Sequence, residues 1–171
     1  MAELPLFGER EISFLAALRT ARVEFLVVGL SAAALQGAPV VTRDVDLWVN
    51  DVGDEKFLAV LKRFGAAYVP PVGLNPPMIV GKRIAVFDLV VSVHGLGSFA
   101  AEYRRSRTID VGTTTVRVLP LDRIIASKRA VNRPKDRAVL PVLEDVLRTI
   151  KEARPSPYAV LPRKTTRAKA R

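Results

Sequence analysis

Apolar residues recur along this chain with two periods, and the switches between them mark out its elements. From Glu9 to Ala21, Ile12, Leu15, Ala16 and Leu18 fall at helical spacing and predict an amphipathic helix. Phe25 to Val28 is a short β-type run that ends at Gly29. Ser31 to Gln36 is alanine-rich and reads as a helix, with Ser31 as its N-cap and Gly37 as its stop. Asp44 to Val49 alternates with period two, the signature of a strand. Glu55 to Phe64 is helical again, with Phe57, Leu58, Leu61 and Phe64 on one face, and Pro70, Pro71, Pro76 and Pro77 mark a loop.

Farther on, Met78–Val80, Gly81–Arg83 and Ile84–Val93 predict a hairpin whose second strand is long and nearly all apolar. A helical segment near Ser98 to Arg105 follows, then a small β pair at Thr108–Val111 and Thr115–Leu119. Pro120 opens a helix through Ala130, and Arg133-Pro134-Lys135-Asp136 turns the chain into a last helix to about Ala153. No internal repeat is visible. The order gives an α/β (α+β) fold, a mixed β-sheet flanked by helices with C-terminal helices.

Composition narrows the chemistry. The 171 residues are 49% hydrophobic, enough for a real core and against wholesale disorder. With no cysteine, a disulfide framework, a thiolate metal site and a cysteine nucleophile are all excluded. His94 is the one histidine, so a metal would be held mainly by carboxylates, which selects hard ions such as Mg²⁺. The apolar stretch from Phe25 to Val41 is broken by Ser31, Gln36, Gly37 and Pro39, too short and too interrupted for a membrane span. The first residues carry Glu3, Glu9 and Glu11 and not a basic region, so no signal peptide is expected and a cytoplasmic setting is.

The formal net charge is +10 and unevenly spread. Arg163, Lys164, Arg167, Lys169 and Arg171 close the chain without an acid, and apolar periodicity stops before them. Residues 1–155 therefore read as one domain, and 156–171 as a flexible basic tail that solubilises the chain or contacts nucleic acid. Deleting 156–171 should leave the melting temperature nearly unchanged and flatten the salt dependence of RNA binding. A second basic cluster, Arg123, Lys128, Arg129, Arg133, Lys135 and Arg137, spans two helical segments.

The carboxylates point to a site. Asp44 and Asp46 stand two apart on one strand, so their side chains leave the same face, as two carboxylates sharing divalent cations must. Asp88 lies in Ala85-Val86-Phe87-Asp88-Leu89-Val90-Val91, which reads as a strand buried on both faces. An ionised carboxylate there requires a cation, either a metal or an arginine such as Arg43 or Arg83. Upstream, the Gly29-Leu30-Ser31 turn into a helix offers free N–H groups and a hydroxyl to a phosphate. His94 is either an acceptor contact or, as favoured here, a strand-end surface residue. Ser92 and Ser98 near it lack a nucleophile elbow. Trp48 and Phe87 read as core.

Val28-Gly29-Leu30-Ser31-Ala32, Gly37, and Thr42-Arg43-Asp44-Val45-Asp46-Leu47 together resemble the signature of the DNA polymerase β-like nucleotidyltransferase superfamily. Val118-Leu119-Pro120-Leu121-Asp122, Lys128-Arg129 and Arg133-Pro134-Lys135-Asp136 look like the closing helices of its small prokaryotic branch, which includes minimal nucleotidyltransferases and abortive-infection type toxins. The resemblance covers about residues 22 to 150. Leu30 stands where the family usually has Gly or Ser, and Val40 where this branch often has Arg. The resemblance implies that Asp44, Asp46 and Asp88 are catalytic and hold two Mg²⁺ ions (or Mn²⁺). Gly29, Ser31, Arg43 and Lys128 would contact the nucleotide. It implies transfer of a nucleoside monophosphate from an NTP to an acceptor hydroxyl, on RNA such as tRNA or on protein, in a toxin–antitoxin setting with a possible cognate partner protein. The alternatives are a catalytically weak nucleotide-binding or antitoxin module and a small-molecule nucleotidyltransferase of the antibiotic-modifying kind.

Overall fold

A computed structural model describes residues 7–153; the tail assigned to 156–171 lies outside them. The first helix, α1 (Glu9–Thr20), leads into β1 (Phe25–Val28), all four of whose residues are buried. Next come α2 (Gly29–Leu35), β2 (Val45–Val49) and α3 (Glu55–Arg63), whose N-cap Asp54 accepts the Lys56 N–H at 2.8 Å. β3 (Ala67–Val69) and β4 (Met78–Val80) form a separate antiparallel pair around the proline loop. β5 (Phe87–Val90), α4 (Phe99–Arg105), β6 (Arg107–Val111), β7 (Thr114–Val118), α5 (Leu121–Val131) and α6 (Pro134–Glu152) complete the described chain.

The main sheet has five strands in the order β5-β2-β1-β7-β6. It is mixed: β1 runs antiparallel to β2 but parallel to β7, and β5 runs parallel to β2. Alternation along the strands sends side chains to two faces. Phe87 faces α1 and α3: the Phe14 ring lies 4.9 Å from it and 5.2 Å from Phe64. On the other face Trp48 meets Phe99 of α4 edge-on at 5.4 Å. Glu102 of α4 is buried against Arg123 of α5 at 2.6 Å, an ion pair that fixes α4 to α5. The Gln36 side chain joins the end of α2 to the start of α5. It donates to the Leu119 carbonyl at 2.9 Å and accepts the Leu121 N–H at 3.1 Å. Among the described residues no helix is long and apolar enough to cross a membrane.

The mixed α/β class stands, with several corrections in detail. The hairpin expected of Met78–Val80 and Ile84–Val93 does not form, because β4 pairs with β3 and the second strand shrinks to Phe87–Val90. Ile84 is buried in the turn before β5 and accounts for the apolar reading there. β5 is an edge strand with alternating burial, not a strand buried on both faces, and Asp88 is exposed. Leu58 is also exposed, and α3 instead buries Phe57, Val60 and Leu61. Ser31 is not an N-cap: the helix begins two residues earlier, at Gly29, with Val28 as its cap.

Candidate active site

The site gathers where β1 ends and β2 and β5 begin. Parallel register sets Asp46 directly beside Asp88 on the neighbouring strand, and antiparallel register sets Asp46 opposite Val28. All three therefore share one face, toward α5. Asp44 sits just before β2, in a loop pinned by the Thr42 hydroxyl, which donates to the Asp44 carbonyl at 2.9 Å. Asp44, Asp46 and Asp88 line one wall of a cleft of about 490 Å³. Lys128, Arg133 and Lys135, from α5 and the start of α6, line the facing wall.

The backbone makes room for this arrangement at Gly29. Its φ of +65° is the left-handed region that glycine enters without penalty. A Cβ there would overlap the Asp46 carboxylate, whose Cγ would lie 3.2 Å away. Gly29→Ala should therefore displace the Asp46 side chain and destabilise the fold by about 1–2 kcal/mol, read by thermal melting.

The charges on the acidic wall repel one another. Burial, then the neighbouring Asp88 and Asp44 carboxylates, push Asp46 up to about 6, against a smaller opposing pull from Lys128 and Lys135. Asp88 is also raised, by burial and by Asp44. Among the described residues none of the three makes an ion pair, so the arginine partner considered for Asp88 is not there. On the basic wall the anion is supplied by Asp136, which is fully buried. It accepts from the Lys128 ammonium at 3.0 Å and the Arg133 Nε at 2.8 Å. Burial alone would raise it, but those two bonds outweigh burial and bring it to about 2.

Of the residues expected at the nucleotide, Gly29 and Lys128 reach the cleft and two do not. Ser31 is fully buried and its hydroxyl donates to the Val28 carbonyl at 3.0 Å, so it is turned away from any phosphate. Arg43 is exposed and outside the lining, although its neighbours Thr42 and Asp44 both belong to it. His94, favoured above as a surface residue, is exposed but does line the cleft. It is placed there by Gly95, whose φ of +73° lets the loop approach Ala130 too closely for any Cβ. Asp136 and Lys135 also line the cleft, although the sequence pattern showed Lys135 only in a basic cluster and both only in the Arg133-Pro134-Lys135-Asp136 turn, without a site role. Trp48 and Phe87 are core, as expected.

Carboxylate oxygens on a self-repelling wall are the donor chemistry of a hard divalent cation. Among the described residues no three acidic or histidine side chains are closed together as a ready metal-ligand set. The in-register pair Asp46 and Asp88 is the part of the wall that fits a shared ion. No protein-family model matches the chain, and no curated protein matches it.

Proposed function

We propose that the protein is a Mg²⁺-dependent nucleotidyltransferase of the polymerase β-like kind, moving a nucleoside monophosphate from an NTP to an acceptor hydroxyl. The observation that carries this reading is one cleft with two oppositely charged walls. Asp46 and Asp88 stand in register on one side, with Lys128, Arg133 and Lys135 on the other. A triphosphate with its cations is a ligand that satisfies both walls at once: the cations neutralise the carboxylates, and the phosphates neutralise the amines and guanidinium.

Asp46 and Asp88 would hold the ions, with Asp44 contributing from the loop before β2. When bound, Mg²⁺ supplies charge stabilisation to the in-line displacement at the α-phosphate. The chain's own groups bind and orient. Lys128 is held at the cleft by Asp136 and directs its remaining N–H donors toward the phosphates. Lys135 is exposed and can follow the triphosphate as it seats, while Arg133, tied to Asp136 through Nε, would offer its remaining guanidinium N–H donors. Gly29 allows the backbone at the end of β1 to lie against the Asp46 carboxylate.

A second reading, a nucleotide-binding module with weak catalysis, is favoured by Leu30. It lines the cleft where the related pattern has Gly or Ser, and it brings an apolar side chain to the phosphate end. Titration calorimetry with ATP and CTP in Mg²⁺, followed by radiolabel transfer to total tRNA, separates the two. Binding with transfer is the expected result. Binding without transfer supports the module, and absence of both removes the nucleotide reading. Mg²⁺ alone should raise the melting temperature by mass action and EDTA should reverse it.

A further inference from the structure

A second cleft, of about 420 Å³, opens at the far end of the sheet, where β1 begins and the segment after α1 crosses β7. Phe25, which lines it, stands at the opposite end of β1 from Val28 beside Asp46, a rise of about 10 Å along the strand. Arg19, Arg22 and Arg117 line it. Among the described residues none of the three has an acidic partner. The cleft's one carboxylate, Glu24, is engaged by the Asn50 amide at 2.8 Å.

Two features distinguish this group from solvated surface charge. Arg117 is held in place: its guanidinium lies 4.6 Å over the Tyr103 ring and donates to the Ser106 hydroxyl at 3.0 Å. Phe99 stacks on the same Tyr103 ring at 5.3 Å, so the platform itself is fixed to the core. A guanidinium ordered in this way has already lost the rotamer freedom that binding would remove.

Arg22 carries the second feature. It follows α1 with a φ of +60°, and the next N–H, of Val23, donates to the Leu18 carbonyl at 3.0 Å. That is the left-handed closing position of a helix, where glycine is the usual residue and a side chain costs about 1 kcal/mol. An arginine kept at such a position lines the cleft with two others, and backbone strain of this kind gathers at ligand sites.

We propose that this cleft docks the sugar–phosphate backbone of single-stranded RNA. The RNA would be the acceptor strand whose end enters the Asp46–Asp88 cleft, and this last clause rests on the nucleotidyltransferase reading. Arginine forks beside the Thr108 and Thr115 hydroxyls are phosphate and sugar contacts. An acidic protein would need an apolar or aromatic anchoring pocket. The cleft offers none, since Tyr103 is already engaged by Phe99 and Arg117 and Val23, Phe25 and Val116 are buried.

The test uses the full chain, a fluorescein-labelled single-stranded RNA of about 20 nucleotides, longer than the few nucleotides needed to join the two clefts, and a salt series. Arg117→Gln and Arg22→Gly should each weaken binding about fivefold and flatten the log–log salt slope by about 0.7. Arg22→Gly should at the same time raise the melting temperature, because glycine relieves the strain. Thr108→Glu, at an exposed position, should weaken binding without touching the core and serves if an arginine variant misfolds. Arg10→Gln, an exposed arginine at the other end of α1, should leave binding unchanged. Wild-type affinity in the three cleft variants overturns the proposal. An equal loss in Arg10→Gln, or displacement of the RNA by poly-glutamate at equal charge concentration, also overturns it. RNA binding that needs the arginines without any transfer would reject the enzyme reading and keep the docking site. Transfer with arginine-independent binding would do the reverse.

Discussion

Asp46→Asn is expected to reduce nucleotidyl transfer by roughly 10³-fold or more and yet to stabilise the metal-free protein at neutral pH. The two effects have one origin. Asp46 ionises at about 6 in the fold against 3.8 ordinarily, because burial and the Asp88 and Asp44 carboxylates disfavour its charge. The folded chain therefore holds this proton more tightly than the unfolded chain does. Stability contributed by the protonated group is full below about pH 4, declines as pH rises toward 6, and is gone above that. A shift of this size is worth at most about 3 kcal/mol, and about 1–2 kcal/mol once partial solvation is allowed for.

The amide keeps the shape of the side chain and removes the charge. In EDTA at pH 7.5 the variant should melt several degrees above the wild type, and the gap should close near pH 4. Mg²⁺ should raise the wild type more than the variant. Asp88→Asn should act in the same direction but more weakly, since Asp88 is exposed and its charge is better solvated. A fall in melting temperature for Asp46→Asn would mean that the carboxylate serves as an anion partner within the fold, and the metal reading would fail.

Asp136→Ala should have the largest effect on stability, about 3–5 kcal/mol. Its carboxylate is fully buried and is the shared anion of Lys128 and Arg133. Removing it leaves the Lys128 ammonium, whose side chain is only 14% exposed, without its partner. For a chain of this size the melting temperature should drop by about 10 °C. Because Asp136 titrates at about 2, below its ordinary value, its contribution is present above about pH 4 and disappears as pH falls through 2. Acid unfolding should therefore begin at higher pH in any variant that weakens the clasp. Asp136→Ala combined with Lys128→Met should recover part of the loss, since no buried charge is then left alone. A drop of under 2 °C for the single variant would show that solvent reaches Lys128 and replaces the carboxylate.

Period-two alternation was enough to put Asp46 on a strand, but β2 begins at Val45 and leaves Asp44 in the loop before it, so the expected shared strand holds only one of the pair. The partner of Asp46 needed more. Asp88 reads as buried when Ile84 to Val91 is taken as one apolar strand, yet the chain uses Ile84 in a turn and gives β5 only the edge of the sheet. No local pattern distinguishes those uses. Ser31 illustrates a similar limit: a serine after a glycine suggests a cap, but Gly29 takes the left-handed conformation and starts the helix itself, which turns Ser31 inward. Asp136 was visible in the sequence only as the last residue of the Arg133-Pro134-Lys135-Asp136 turn and its family-like stretch, with no partner assigned. Its importance arises from the packing of α5 against α6, which brings it to Lys128 across the left-handed Asn132, and neither helix alone contains that information.

The parallel pairing of β2 with β5 has a consequence for when the site comes into being. Asp88 follows Asp46 by 42 positions, and α3 and the β3–β4 pair lie between them. Parallel neighbours cannot zip up from a turn, so their carboxylates meet only after that whole excursion has folded back and its closure entropy has been met. The opposing wall arrives later still along the chain, with Lys128 and Asp136. A fragment ending before α6 would carry Asp46, Asp88 and Lys128 but lack Lys135 and Asp136, the buried anion that holds Lys128 at the cleft. The two-walled cleft is therefore complete only once α6 has docked on α5.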